Sequence, residues 1–169
     1  MGTATVSPKV RTQHELNITR VFDAPRELVW KAWTDPEHLK QWFGPRQFEA
    51  LDLTVDVRPG GKWRDRLHSD GFTDSAGEWR TADVWQGGEY MEVVEPERLV
   101  FTFHWEAGSG LPEHDTVVTI TFEEHGGKTT MNFHQAFFVT LEDRDGHMKG
   151  WNSSLDKLEE FLREVEYGG

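Results

Sequence analysis

The chain has 169 residues, 36% of them in the apolar set, and a formal net charge of −12. That length fits one domain with a single sizeable core. The acidic balance excludes a nucleic-acid surface and disfavours anionic lipid, because phosphate binding needs a basic stripe and none appears. With no cysteine in the chain, disulfides and thiolate chemistry are out of reach. No apolar run approaches the length that crosses a bilayer. Residues 1–13, "MGTATVSPKVRTQ", lack the apolar stretch of a secretory signal. They read as a flexible leader ahead of a single domain at 14–169, and the expected location is cytoplasmic.

The first periodic segment, "HELNITRVFDA", places Leu16 and Ile18 between polar neighbours and reads as a strand. In "DAPRELVWKAWT", Asp23 is the expected cap, Pro25 suits the first turn, and Leu28, Val29, Ala32 and Trp33 recur at helical spacing. "TDPEHLKQWFGP" repeats that grammar, with Thr34 and Asp35 as the cap and Gly44-Pro45 as the stop. Strands follow. Leu51, Leu53, Val55 and Val57 alternate before a Pro-Gly-Gly turn, "KWRDRLHS" returns, and "DGFTDSAGEW" reads as a hairpin tip. Leu99, Phe101, Phe103 and Trp105 share one side of a later strand. A hairpin then turns at Gly126-Gly127. Its expected inward phases are Val118, Ile120 and Phe122, then Met131, Phe133, Gln135 and Phe137. Residues 142–166 form one long helix, striped by Met148, Trp151, Leu155, Leu158, Leu162 and Val165. Gly150 within it points to close packing, or to room beside the Trp151 indole.

The order β-α-α-β-β-β-β-β-β-α leads to an α+β fold. A curved antiparallel sheet wraps around the long C-terminal helix, and two short helices after the first strand close one end. One helix cannot fill a strongly curved sheet, so a mostly apolar cavity with a few polar groups is expected. "FDAPRELVWKAWTDPEHLKQWFGP", "VDVRPGGKWR", "GEYMEVVEPERLVFTF", "VTITFEEHGGKTTM" and "GHMKGWNSSLDKLEEFL" resemble single-domain proteins related to the activator of heat-shock protein 90 ATPase. These belong to the wider SRPBCC, or START-like, superfamily with its helix-grip fold, which also hosts lipid carriers, hormone receptors, polyketide cyclases and oxygenase domains. The resemblance runs from Glu15 to Leu162. It implies that Trp42, Phe43 and Pro45 lie near a cavity mouth and that Trp151 projects toward the sheet. Position 65, usually apolar in that pattern, is Asp65 here. The chain is too short for the additional N-terminal domain of the eukaryotic chaperone activators, which disfavours a chaperone partner.

Asp65 is the residue that asks for an explanation. Trp63, Asp65 and Leu67 share one strand phase, so the carboxylate faces inward while Arg64 and Arg66 point the other way. A buried carboxylate must be paired, protonated or beside a cavity. A β-bulge after Gly60-Gly61, which turns it to solvent, is the competing reading. The candidate ligand-binding set is Trp42, Phe43, Trp63, Asp65, Tyr90, Phe103, Trp105, Gln135, Phe137, His147 and Trp151. Core packing is the alternative for each aromatic member. Tyr90 and Gln135 are polar groups on apolar strands, free to pair with each other or with a ligand. His147 opens the long helix, as a solvated end residue or at the pocket mouth. Glu92 and Arg98 read as a structural ion pair. The eight histidines are scattered without ligand spacing, so no metal is expected. No cofactor is expected either, because neither a phosphate loop nor a dinucleotide fingerprint is present.

The leading expectation is a small-molecule binding protein for a hydrophobic or aromatic ligand, with a stress-related setting in view of the resemblance. A cyclase- or hydratase-type enzyme with Asp65 as general acid or base is one alternative. A chaperone-associated interaction module is another. A homodimer is a further partner expectation.

Overall fold

The computed structural model describes residues 14–111 and 113–168. The leader expected at residues 1–13 lies outside the described residues. The chain runs β1 (Glu15–Phe22), α1 (Arg26–Thr34), α2 (Pro36–Trp42), β2 (Glu49–Val55), β3 (Lys62–Thr73), β4 (Trp79–Val94), β5 (Arg98–Trp105), β6 (Thr116–His125), β7 (Lys128–Ala136) and α3 (Leu141–Gly168). The strands form one seven-stranded sheet in the order β1-β7-β6-β5-β4-β3-β2, antiparallel at every pairing. From β2 to β7 each strand pairs with the next. Only β1 joins out of turn, on β7. The chain therefore leaves the sheet at one edge and re-enters at the other, and α1 and α2 make that crossing.

Local chemistry accounts for the elements. Asp35 caps α2, its side chain accepting the Glu37 backbone N–H at 2.9 Å, and Pro36 occupies the first helical turn, where its missing donor costs nothing. Asp23 does not cap α1. The flanking residue there is Pro25, without a side-chain cap, because its fixed φ already supports the extended-to-helical transition. Gly126 and Gly127 adopt φ of 59° and 80°, the left-handed pair that a two-residue hairpin needs. In β2, full burial falls to Ala50 while Leu51, Leu53 and Val55 are half-buried. The reason is a register shift between Leu51 and Thr54 around Asp52, whose φ is 50°. Further shifts in β3–β4 and β4–β5 bend the sheet, as bulges do. Gly88 lets β4 and β5 close up, since a Cβ there would lie 1.8 Å from the Thr102 carbonyl oxygen.

The core lies between the concave face and α3. Leu155, Leu158 and Leu162 are buried with Leu16, Ile120, Met131 and Phe133 from the sheet and Trp33 and Leu39 from the short helices. Trp33 and Trp42 meet edge to face at 4.7 Å. The inward alternation of β7 ends with Gln135. Phe137 takes φ of 76° and is 64% exposed, while Phe138 turns inward at 3%. Placing Phe137 on the inward phase extends the strand period one step beyond Ala136, where the backbone leaves the ladder.

Candidate functional site

A cavity of about 630 Å3 lies between the first half of α3 and the sheet. Phe43, Pro45 and Phe48 of the segment after α2 form one wall, Leu67, Phe72 and Val84 of the long β3–β4 hairpin a second, and Phe103 and Trp105 of β5 a third. The helix contributes Asp143, His147, Gly150, Trp151 and Ser154, and the exposed Leu111 and Glu142 mark the mouth. At Gly150 the nearest neighbour is Pro45, 3.6 Å from where a Cβ would stand, which is ordinary contact. The 43–48 wall is pinned from behind by Lys157, whose Nζ donates to the Gly44 carbonyl at 2.9 Å and reaches the Phe48 carbonyl at 3.3 Å.

His147 sits deep within this wall, its side chain 10% exposed. Phe103, Trp105 and Phe138 surround the ring, with centroids 5.2, 5.7 and 4.9 Å away. Trp105 Nε1 donates to His147 Nε2 at 3.2 Å, which assigns the imidazole proton to Nδ1. Burial pushes the ring's pKa down to about 4, so it is neutral at physiological pH. One turn earlier, Asp143 Oδ1 lies 3.6 Å from Nε2, and burial raises that carboxyl above its ordinary range.

Asp65 is fully buried. The β3–β4 ladder runs unbroken from Lys62 to Ser69, so no bulge turns the residue to solvent. Arg64 reaches outward to Glu106 at 2.6 Å and lies 3.8 Å over the Trp85 ring, and Arg66 pairs with Asp52 and Asp83. No partner meets strict hydrogen-bond geometry at either Asp65 oxygen, although the Gln86 side chain lies close enough to act on the carboxyl. Burial raises the carboxyl pKa to about 7, and the Gln86 amide directly across the ladder offsets only part of that rise. Gln86 lines the cavity and Asp65 does not. The carboxyl therefore stands one residue behind the wall.

The other sequence candidates divide by location. Phe43, Phe103, Trp105, His147 and Trp151 are on the cavity wall. Trp63 and Tyr90 border a separate narrow gap of about 20 Å3 beside Phe101. The Trp63 indole donates to the Thr102 carbonyl at 2.9 Å, and burial raises the Tyr90 pKa. Trp42 is core, its indole donating to the Ala32 carbonyl at 3.0 Å. Gln135 is also core and pairs with neither Tyr90 nor an open space: it donates to Thr116 Oγ1 at 2.8 Å and accepts from Trp151 Nε1 at 2.7 Å. Phe137 points away from the cavity. Glu92 and Arg98 form an ion pair at 3.3 Å. Sequence reasoning missed Phe48, Phe72, Gln86 and Asp143. For Asp143 a signal was present, because it precedes His147 by four residues on one helix and so shares its face. For Gln86 the signal was its place in phase with Ala82 and Val84 on β4.

Among the described residues no group of three or more His, Asp or Glu is arranged to hold a metal ion. No described helix is long and apolar enough to cross a membrane.

An antiparallel sheet curled about one C-terminal helix, with an aromatic recess where that helix begins, defines a helix-grip domain. Residues 23–163 match the family described as Activator of Hsp90 ATPase homolog 1-like protein, and the chain belongs to that family. Among solved structures, a protein from Chromobacterium violaceum is similar at 26% identity, covering 88% of this chain and 96% of its own, with a TM-score of 0.72. One from Nitrosomonas europaea is similar at 25% identity, covering 92% and 97%, with a TM-score of 0.68. The AHSA1 protein of Silicibacter pomeroyi shares the fold at 22% identity, covering 88% and 97%, with a TM-score of 0.71. None of the curated proteins matches the sequence. Family and fold support a ligand-binding helix-grip domain in general.

Proposed function

We propose that this domain binds a small, largely apolar molecule with aromatic character in the cavity between α3 and the β3–β5 strands. One observation carries the reading: a space of about 630 Å3 walled by Phe43, Phe48, Phe72, Phe103, Trp105 and Trp151. That volume is within the ordinary range for small-molecule sites, and the sparse polar groups are of the kind that orient a guest. His147 offers a fixed Nδ1–H, and Gln86 offers an amide. Titration with the neutral fluorophore N-phenylnaphthylamine, followed by energy transfer from tryptophan, tests it. Saturable binding that is lost in Trp105→Ala is the expected result. A folded protein that binds none of a varied panel of apolar fluorophores overturns it, and the chaperone-associated interaction module then becomes the better reading.

A second reading, a cyclase- or hydratase-type enzyme, is favoured by the buried Asp65 carboxyl. A pKa near neutrality suits a general acid or base. Its place behind Gln86 rather than on the wall, with no second catalytic group beside it, ranks this reading below binding.

A further inference from the structure

We propose that the cavity discriminates by charge: it admits neutral and cationic aromatic molecules, rejects carboxylates, and takes as its preferred guest an aryl amine whose nitrogen lies beside Asp143. This rests on the binding reading above and names the class of ligand.

Among the described residues, the charged side chains on the wall are Glu142 and Asp143, and no Lys or Arg lines the cavity. Three basic groups nearby are committed elsewhere. Lys157 is held by the carbonyls behind the 43–48 wall. Arg144 turns to Asp145 and the Glu15 carbonyl, and Arg46 pairs with Glu160. The His147 ring, which takes the indole proton of Trp105 on Nε2, adds no positive charge at neutral pH. His114 of the β5–β6 loop faces Asp143 from an exposed position.

One feature favours an anion, the N-terminal end of α3 with its unpaired N–H groups. That end is already occupied. The Asp143 N–H donates to Thr140 Oγ1 at 3.0 Å, and Glu142 and Asp143 place negative charge on the same turn. An entering carboxylate meets both.

A second observation, independent of this rim, comes from the opposite wall. Asp65, fully buried, lies directly across the ladder from the cavity-lining Gln86, the one side chain that acts on its carboxyl. Because Asp65 stands behind Gln86 and not on the wall, its protonated form does not reach a guest, and its ionised form repels an anion. The faces of Phe103, Trp105 and Trp151 attract an organic cation through their quadrupoles. The net charge of −12 draws cations toward the protein.

The test is calorimetric titration of the full chain at neutral pH and low salt with three matched probes: naphthylmethylamine, naphthylmethanol and naphthoic acid. The amine is expected to bind roughly tenfold more tightly than the alcohol, and the acid most weakly. In Asp143→Asn the amine-to-alcohol ratio should fall several-fold. Glu142→Gln, at an exposed position, gives a second reading if the first variant misfolds. An acid that binds as well as the alcohol, or a ratio unchanged in both variants, overturns the charge assignment while leaving the binding reading intact. Binding of none of the three overturns both.

Discussion

Along α3, the half from Leu155 to Leu162 and the half from Asp143 to Ser154 face the same curved sheet and end differently. Beneath the later half, Leu155, Leu158 and Leu162 are buried and the helix packs on α1, α2 and β1. Trp33, Leu39 and Trp42 supply the bulk that a single helix lacks. Beneath the earlier half no inserted element follows, and Phe103, Trp105, His147 and Trp151 surround space instead of filling it. Solid core and cavity thus differ by what the β1-to-β2 crossing brings with it. Where α1 and α2 lie, the curvature is filled. Where they do not, it stays open.

Four substitutions test this contrast. The largest effect is expected for Leu158→Ala at the filled end, a loss of about 2–5 kcal/mol in urea unfolding. Trp105→Ala at the open end removes a larger side chain yet should cost less than Leu158→Ala, because Trp105 is only partly buried and already borders a void. Equal losses would mean that the open end is packed as tightly as the other.

Asp65→Asn comes next. The folded carboxyl, raised from 3.8 to about 7, keeps its proton where the unfolded chain has lost it. Its contribution is fully present below the unfolded value and is lost as pH rises through the folded one. The stability of Asp65→Asn relative to the wild type should therefore increase between about pH 4 and about pH 7, by a few kcal/mol at most, and level off above. His147, lowered to about 4, has the opposite slope: its contribution is present above its unfolded value and is lost as pH falls through the folded one. Both proteins carry His147, so it cancels in the difference. A difference that is flat across the window would refute a buried carboxyl with a raised pKa.

The smallest effect is expected for Phe137→Ser. The residue is 64% exposed, so stability should move by less than about 0.5 kcal/mol and probe binding should not change. A loss of binding would place Phe137 back at the cavity.

What was legible in the sequence was whatever a short period encodes. Leu155, Leu158 and Leu162 repeat at helical steps. Val118, Ile120 and Phe122 alternate, and each fell on the buried face. The inward phase of Asp65 was readable because Trp63 and Leu67 flank it on an unbroken ladder. Phe137 was misplaced for the same reason in reverse: a period cannot announce where the backbone departs from it, and a slip of one residue exchanges the two faces. Ala50 escaped notice because the register shift at Asp52 re-phases β2. Phe72, Gln86 and Asp143 come from three different elements, and their meeting on one wall is a product of sheet curvature that no local pattern carries. Nothing in the sequence pattern singles out Lys157. Its burial and its three carbonyl partners exist only once the 43–48 segment has folded over it.

The pairing of β1 with β7 also dictates an order of assembly. Glu15 lies opposite Ala136 and Phe22 opposite Thr129, so the first strand finds its neighbour only after nearly all the chain between them is in place. Strands β2 to β7 can zip by successive hairpins, each closing a short loop. Docking β1 closes a loop of over a hundred residues, and an entropic toll of that size is met before the contacts return it. During synthesis β1 is thus without its partner until β7, the last strand, has emerged. That interval, more than any exposed patch of the finished fold, is when the chain is open to mispairing with a second copy.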